Sequence, residues 1–155
     1  MEALLTLLEN LIEHLRQLTE LAKRKTLAVR KSDLIELDQI LKAEQAQSLA
    51  LRGLEQKRIS LLQQFSLSGL SLTEIPSHFP ANLQPQARDT VETLRREYEI
   101  YRSAAEIARN TLECNLHEVE KFLAAAGAAA EIGTGYRNTE GEVDAPPQMK
   151  ADFRA

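Results

Sequence analysis

The side chains that could perform chemistry in this chain are three histidines and one cysteine. His14, His78 and His117 fall in three different segments, and Cys114 precedes His117 by three residues. On a helix that spacing puts Cys114 and His117 on one face. No third group is visible to orient the imidazole, so the pattern favours a structural thiol over a nucleophile. Ligand pairs at helical metal-binding spacing and glycine-rich phosphate loops are also missing. The sequence therefore predicts no catalytic residue, no metal site and no cofactor.

The charge balance and the apolar pattern exclude further classes. Lys and Arg number 19 and Asp and Glu number 23, which gives a net charge of −4 and disfavours a nucleic-acid partner. A basic run between residues 23 and 31 is interpreted as cations opposing the negative end of a helix dipole. The N-terminal segment has no basic start, and no uncharged apolar run approaches the ~20 residues that span a bilayer. We therefore expect a cytoplasmic protein without membrane insertion.

Leucines at helical spacing dominate the first 65 residues. Two long helices are predicted, the second from about Asp33 to Phe65, with either Ser32 or Asp33 as its N-cap. Each has a seam, meaning a line of core-facing positions in heptad steps. Glu44 and Gln47 interrupt the second seam. Two interpretations stay open: these positions lie at a thin, half-wet part of a bundle, or they mark an opening where a partner helix enters. The first seam comprises Leu4, Leu8, Leu11, Leu15, Leu18 and Ala22, and the second Leu37, Ile40, Glu44, Gln47, Leu51, Leu54, Arg58, Leu61 and Phe65.

A break separates these helices from a third. Ser71-Leu72-Thr73-Glu74 has the capping-box pattern, which predicts a short helix, with Leu72, Ile75 and Phe79 covering the end of the bundle. A long helix is then predicted from near Pro85 to about Ala126. Its seam comprises Ala87, Val91, Leu94, Tyr98, Tyr101, Ala105, Ala108, Leu112, Leu116, Val119 and Leu123.

These elements predict an all-α fold. We expect an elongated, antiparallel, coiled-coil-like bundle of three long helices and one short helix over residues 1–126. The residues expected to be buried in its core are Leu11, Leu15, Leu54, Leu61, Leu94 and Tyr101.

The composition changes after residue 126. Four of the six glycines and Pro146-Pro147 lie in residues 127–155, which contain few apolar residues. Such a segment cannot offset its ordering entropy, so a flexible, disordered C-terminal tail is predicted. Tyr136 is an isolated aromatic residue within it. Two interpretations stay open: the tail carries a docking motif, or it is an inert solubilising terminus.

Several motifs together resemble the FlgN family of flagellar export chaperones over about residues 1–141. They are Lys31-Ser-Asp-Leu-Ile-Glu-Leu, Ile40-Leu-Lys-Ala-Glu44, Leu54-Glu-Gln-Lys-Arg-Ile-Ser-Leu-Leu62, the linker Leu72-Thr-Glu-Ile-Pro76, Asn110-Thr-Leu-Glu113, and Thr134-Gly-Tyr136 followed by Gly141. The resemblance implies a cytoplasmic, non-enzymatic chaperone. It would bind hook-associated proteins before secretion and deliver them to the type III export gate. It also implies that Tyr136 docks onto the cytoplasmic domain of that gate.

The residues themselves support a binding mechanism of the same class. A bundle with a polar seam can accept an amphipathic helix from a client. Glu44 and Gln47 would form one wall of that site, and Tyr98, Tyr101 and Leu112 the other. Leucine at positions 44 and 47 would then raise stability and lower client affinity.

A second function class stays open, namely a structural coiled-coil adaptor or tether that self-associates through its heptads. The chaperone hypothesis expects a monomer or weak dimer. A stable trimer or tetramer would favour the tether.

Overall fold

Three α-helices make up most of the computed structural model, which describes residues 1–130 and the side chains of residues 1–127. They are α1 (Glu2–Lys31), α2 (Leu34–Gln64) and α3 (Gln84–Ala130). A short 3-10 helix, Ile75–His78, lies between α2 and α3. No strand occurs among the described residues, so the predicted all-α fold with three long helices and one short helix is confirmed.

The chain divides into two units, residues 1–116 and 117–155. The first unit contains α1, α2, the connection and most of α3, and the second begins within α3. That helix continues to Ala130, past the end predicted near Ala126. The division into residues 1–126 and 127–155 stays a prediction. Beyond Ala130, the predicted tail and Tyr136 lie outside the described residues.

A tight turn makes α1 and α2 antiparallel. Ser32 adopts the left-handed conformation, with φ at 55°, and Asp33 N–H donates to the Ala28 carbonyl oxygen at 2.9 Å. The Asp33 side chain then accepts a hydrogen bond from the Glu36 backbone N–H at 3.0 Å. The left-handed Ser32 ends α1 and the Asp33 carboxylate caps α2, so Asp33 is the N-cap of the two residues predicted for that role.

The connection between α2 and α3 covers one end of the bundle. The Glu74 carboxylate accepts hydrogen bonds from both the backbone N–H and the hydroxyl of Ser71, each at 2.8 Å. Half of the predicted capping box is therefore formed, because the Glu74 backbone N–H donates to the Ser71 carbonyl oxygen instead of the Ser71 hydroxyl. The short helix begins at Ile75, with Glu74 as its N-cap, and Ile75 and Phe79 pack against α1. These two side chains belong to a buried cluster whose other members are Leu4, Leu5, Leu62, Leu67 and Ala87.

Helix α1 supplies side chains to every core cluster of the described residues. The second cluster joins α1 to α3, and the third joins α1 to Ile40 of α2. Gln86 contacts Glu9, and Arg16 pairs with Glu97, so α3 runs parallel to α1. The second cluster contains Leu8, Ile12, Leu15, Val91 and Leu94, and the third Leu18, Leu21, Ala28 and Ile40.

The predicted core is correct at Leu15 and Leu94, which are buried. Leu11, Leu54, Leu61 and Tyr101 are only half-buried. For Leu54 and Leu61 the cause lies in α2 itself, of which Ile40 and Leu62 alone are buried. The apolar residues of α2 are spread around the helix, so several of them are half-buried and few are fully buried.

Replacement of Leu15 by alanine tests this core. Leu15 is 8% exposed within the second cluster, so Leu15→Ala should lower the free energy of unfolding by about 2–5 kcal/mol. Leu49→Ala is the matched control, because Leu49 is 67% exposed on α2 and should cost less than about 1 kcal/mol. Urea denaturation measures both variants. Equal denaturation midpoints for Leu15→Ala and the unmodified protein would show that Leu15 does not belong to the core.

Candidate partner-binding surfaces

Glu44 is held by an ion pair between α1 and α2. Lys25 Nζ donates to the two carboxylate oxygens of Glu44 at 2.6 and 2.8 Å. The two side chains are only 16% and 22% exposed, so solvent screens the pair less than it would a surface pair. The carboxylate therefore has its partner on α1 and is not presented to an incoming helix.

Gln47 is engaged by α1 in the same way. Its Oε1 atom lies 2.5 Å from Nδ1 of His14, and its Nε2 atom donates to Oε1 of Gln17 at 2.7 Å. Glu44 and Gln47 are both half-buried. These contacts fit a thin, half-wet part of the bundle. They do not fit an opening at Glu44 and Gln47, because side chains of α1 already form hydrogen bonds with the polar groups of both residues.

The other wall of the hypothesised client site is only partly assembled. Tyr101 packs against two core clusters, and burial raises the pKa of its phenol, with the Glu44 carboxylate and Tyr98 adding to the effect. Tyr98 itself is exposed, and the client site formed by these residues stays a prediction. Leu112 is half-buried and follows Tyr101 by eleven residues on α3, or about 16 Å. The structure does not bring Leu112 to the other four residues.

The α3 residues beyond Leu112 expose apolar side chains that the sequence assigns to a seam. Ala108 is the last buried α3 residue of those whose side chains are described. In the first unit Leu116 is exposed. In the second unit Val119 is exposed, Phe122 is 73% exposed and Leu123 is 62% exposed. Heptad spacing correctly predicts a shared helix face here, but spacing alone does not show whether that face is covered.

The residues considered for chemistry form no catalytic arrangement among the described residues, and His14 is bonded to Gln47. Cys114 is a free, exposed thiol, and His117 is exposed as well. Within residues 1–130, no group of three His, Cys, Asp or Glu side chains could hold a metal ion. None of the described helices combines the length and apolar character that a membrane span requires.

The ion pair between Lys25 and Glu44 predicts the effect of removing one partner. Glu44→Leu leaves the Lys25 ammonium half-buried and unpaired, so it should destabilise the fold by about 1–3 kcal/mol. This expected loss is opposite to the gain in stability that the sequence pattern predicts for leucine at position 44. The double variant Lys25→Met with Glu44→Leu should recover most of the loss, because an apolar pair can replace a buried ion pair.

The matched control for that experiment is Asp38→Leu, which breaks the exposed pair that Lys42 forms with Asp38 at 2.6 Å. An exposed pair of this kind contributes about 0.5 kcal/mol at most. Chemical denaturation compares the three proteins. Higher stability in Glu44→Leu alone would contradict the structural role assigned to the pair.

Comparison with known proteins identifies the family. The model of the FlgN protein family matches residues 1–142, which include α1, α2 and α3. Neither the curated proteins nor the solved structures provide a match. The family match covers most of the chain and agrees with the resemblance found in its motifs. The chain therefore belongs to the FlgN family, a family of flagellar export chaperones for hook-associated proteins.

Proposed function

We propose that this protein is a cytoplasmic export chaperone that holds terminal helical segments of hook-associated proteins and delivers them to the export gate. Family membership supplies the general role. The observation that supports the finer proposal is the exposed apolar surface of α3 in the second unit, formed by Val119, Phe122 and Leu123. We call these three residues the client surface.

The spacing of the client surface suits a partner helix. Val119 is followed by Phe122 at i+3 and Leu123 at i+4, so the three side chains lie on one face of α3. Phe122 supplies a large, rigid ring, the kind of side chain that dominates binding energy at protein interfaces. Glu118, Glu120 and Lys121 add charge around it, which keeps the helix soluble before a client arrives.

Partial apolar exposure also suits reversible binding. An export chaperone must release its client, so a small apolar contact with a polar surround is more suitable than a large obligate interface. The client surface replaces the wall of Glu44 and Gln47, since α1 already engages both of those side chains. Tyr98, which is exposed, and Leu112, which is half-buried, stay candidates for additional client contacts on α3.

Self-association is the competing function, and one observation favours it. Leu34, Leu41 and Leu49 expose apolar surface on α2, as the client surface does on α3. A tether would pair such surfaces between copies and form a stable trimer or tetramer. A chaperone would keep them available as a monomer or weak dimer.

Truncation of the two largest side chains of the client surface should weaken client binding without unfolding the protein. Phe122→Ala combined with Leu123→Ala should weaken binding of a hook-associated protein's terminal helical segment at least tenfold, equivalent to about 1.4 kcal/mol. Calorimetric titration measures that affinity. The melting temperature should not change, because both side chains are mostly exposed.

The control for client binding is Leu49→Ala, which removes an equally exposed leucine from α2. This variant should bind the client as the unmodified protein does. Light scattering on the same samples gives the oligomeric state. Full client affinity in the Phe122 and Leu123 double variant, or a stable tetramer that the substitutions dissociate, would contradict the chaperone proposal.

Docking to the export gate is proposed to depend on Tyr136. A tyrosine gives an anchor with an apolar ring and a hydroxyl at low entropic cost. Tyr136→Ala should leave melting and client affinity unchanged, but it should weaken binding to the cytoplasmic domain of the gate about 30-fold or more. A pull-down with client-loaded protein measures recovery of the gate domain. Phe153→Ala, elsewhere in the predicted tail, is the control. Equal recovery by the Tyr136 variant and the unmodified protein would reject Tyr136 as the docking residue.

A further inference from the structure

A groove between α1 and α3 in the first unit is distinct from the client surface. Its floor is apolar and is made by Leu27 of α1 with Ile100, Ala104 and Ile107 of α3. The volume of the groove is about 770 Å³. Leu27, Ile100 and Ile107 are all exposed to solvent.

The rim of the groove is positively charged. Lys23 and Arg30 line its α1 side, and Arg96 lines its α3 side. Glu99 is the one carboxylate among the lining residues. This local excess of cations stands out in a chain whose net charge is −4, and it favours a partner that carries carboxylates.

The rim cations are available to such a partner. Neither Arg30 nor Arg96 forms an ion pair with any of the described residues. Lys23 pairs with Glu20 on its own helix at 2.7 Å, but both side chains are more than half exposed, so the pair is weak. The helix-dipole interpretation explains charge near the end of α1, but it does not explain Arg96 on the opposite side of an apolar groove.

The dimensions of the groove match a short helix. On α3 the lining residues extend from Arg96 to Ile107, which is about 16 Å or three helical turns. Because α1 and α3 are parallel neighbours, the groove between them is of the kind into which the side chains of another helix pack. A partner would bury apolar residues at i, i+3 or i+4, and i+7 on the floor, with its acidic residues facing the rim.

We infer that this groove binds one amphipathic helix of the client protein, about three turns long, whose apolar stripe is flanked by Asp or Glu. The inference rests on the proposed function, because it takes the occupant to be a segment of the secreted client. It assigns that segment a charge and a length, and it places the contact in the first unit. The client is thus recognised by charge at this groove as well as by apolar contact at the client surface.

Charge reversal tests the groove. Arg30→Glu with Arg96→Glu should weaken binding of the unmodified client at least tenfold, and the remaining affinity should depend less on salt. The matched control is Lys31→Glu with Arg95→Glu, which makes the same change in net charge at exposed neighbours that do not line the groove. The control should keep affinity within about twofold, since charges away from the contact act weakly. Equal loss in both variants, or no loss in either, would overturn the inference.

A photoreactive residue at Ser103, which lines the groove, identifies the occupant in the full-length protein. The expected crosslink joins position 103 to a client helix with carboxylates beside its apolar stripe. A crosslink to residues 131–155 of the same chain, or to a second copy, would overturn the inference, as would a client segment without carboxylates.

The outcomes also separate the two proposals. Client binding that survives Arg30→Glu with Arg96→Glu but is lost on replacing Phe122 and Leu123 would reject the groove and leave the chaperone function intact. Failure of the unmodified protein to bind any hook-associated protein would reject the chaperone function itself.

Discussion

Burial of α1 is the constraint on which the rest of the first unit depends. This helix carries thirteen of the buried residues, and it supplies side chains to all three core clusters. Because its apolar residues extend around more than one face, α1 cannot be stable against a single neighbour. Helix α2 covers one side and α3 another. Several apolar side chains of α2 and α3, together with Leu27 of α1, remain exposed, and these surfaces are available to partners.

Polar contacts give the pairing of α1 with α2 its specificity. The tight turn at Ser32 and Asp33 limits the register of the two helices, and the ion pair between Lys25 and Glu44 and the Gln47 contacts with His14 and Gln17 are satisfied in that register. Such contacts contribute less to stability than apolar packing would. The half-buried polar residues of the α2 seam therefore align α2 with α1. Client recognition is assigned to surfaces that α1 does not cover.

The sequence predicts the helices and their caps well, because those features depend on residues close together in the chain. It predicts the exposed apolar surfaces poorly, because exposure depends on which helices pack against each other. The N-cap of α2 and the contact of Glu74 with Ser71 depend on neighbouring residues, so the sequence limited the first to Ser32 or Asp33 and predicted the second. The seam through Leu116, Val119 and Leu123 was also correct as a helix face, but a repeat does not show whether another helix covers it. The groove depends on the juxtaposition of Lys23 and Arg30 with Arg96, which are distant in the sequence, and no spacing rule relates them.

Amide hydrogen exchange on the full-length protein, with and without the terminal segment of a hook-associated protein, tests the central claim most directly. The claim is that the α1–α2 pairing is complete before the client binds and that the client covers exposed parts of α3. Added client should slow exchange in residues 117–127 and in the helical turns around Leu27 and Ile100, and leave the segment around Glu44 and Gln47 unchanged. Protection concentrated at Glu44 and Gln47, with no change in α3, would contradict the account.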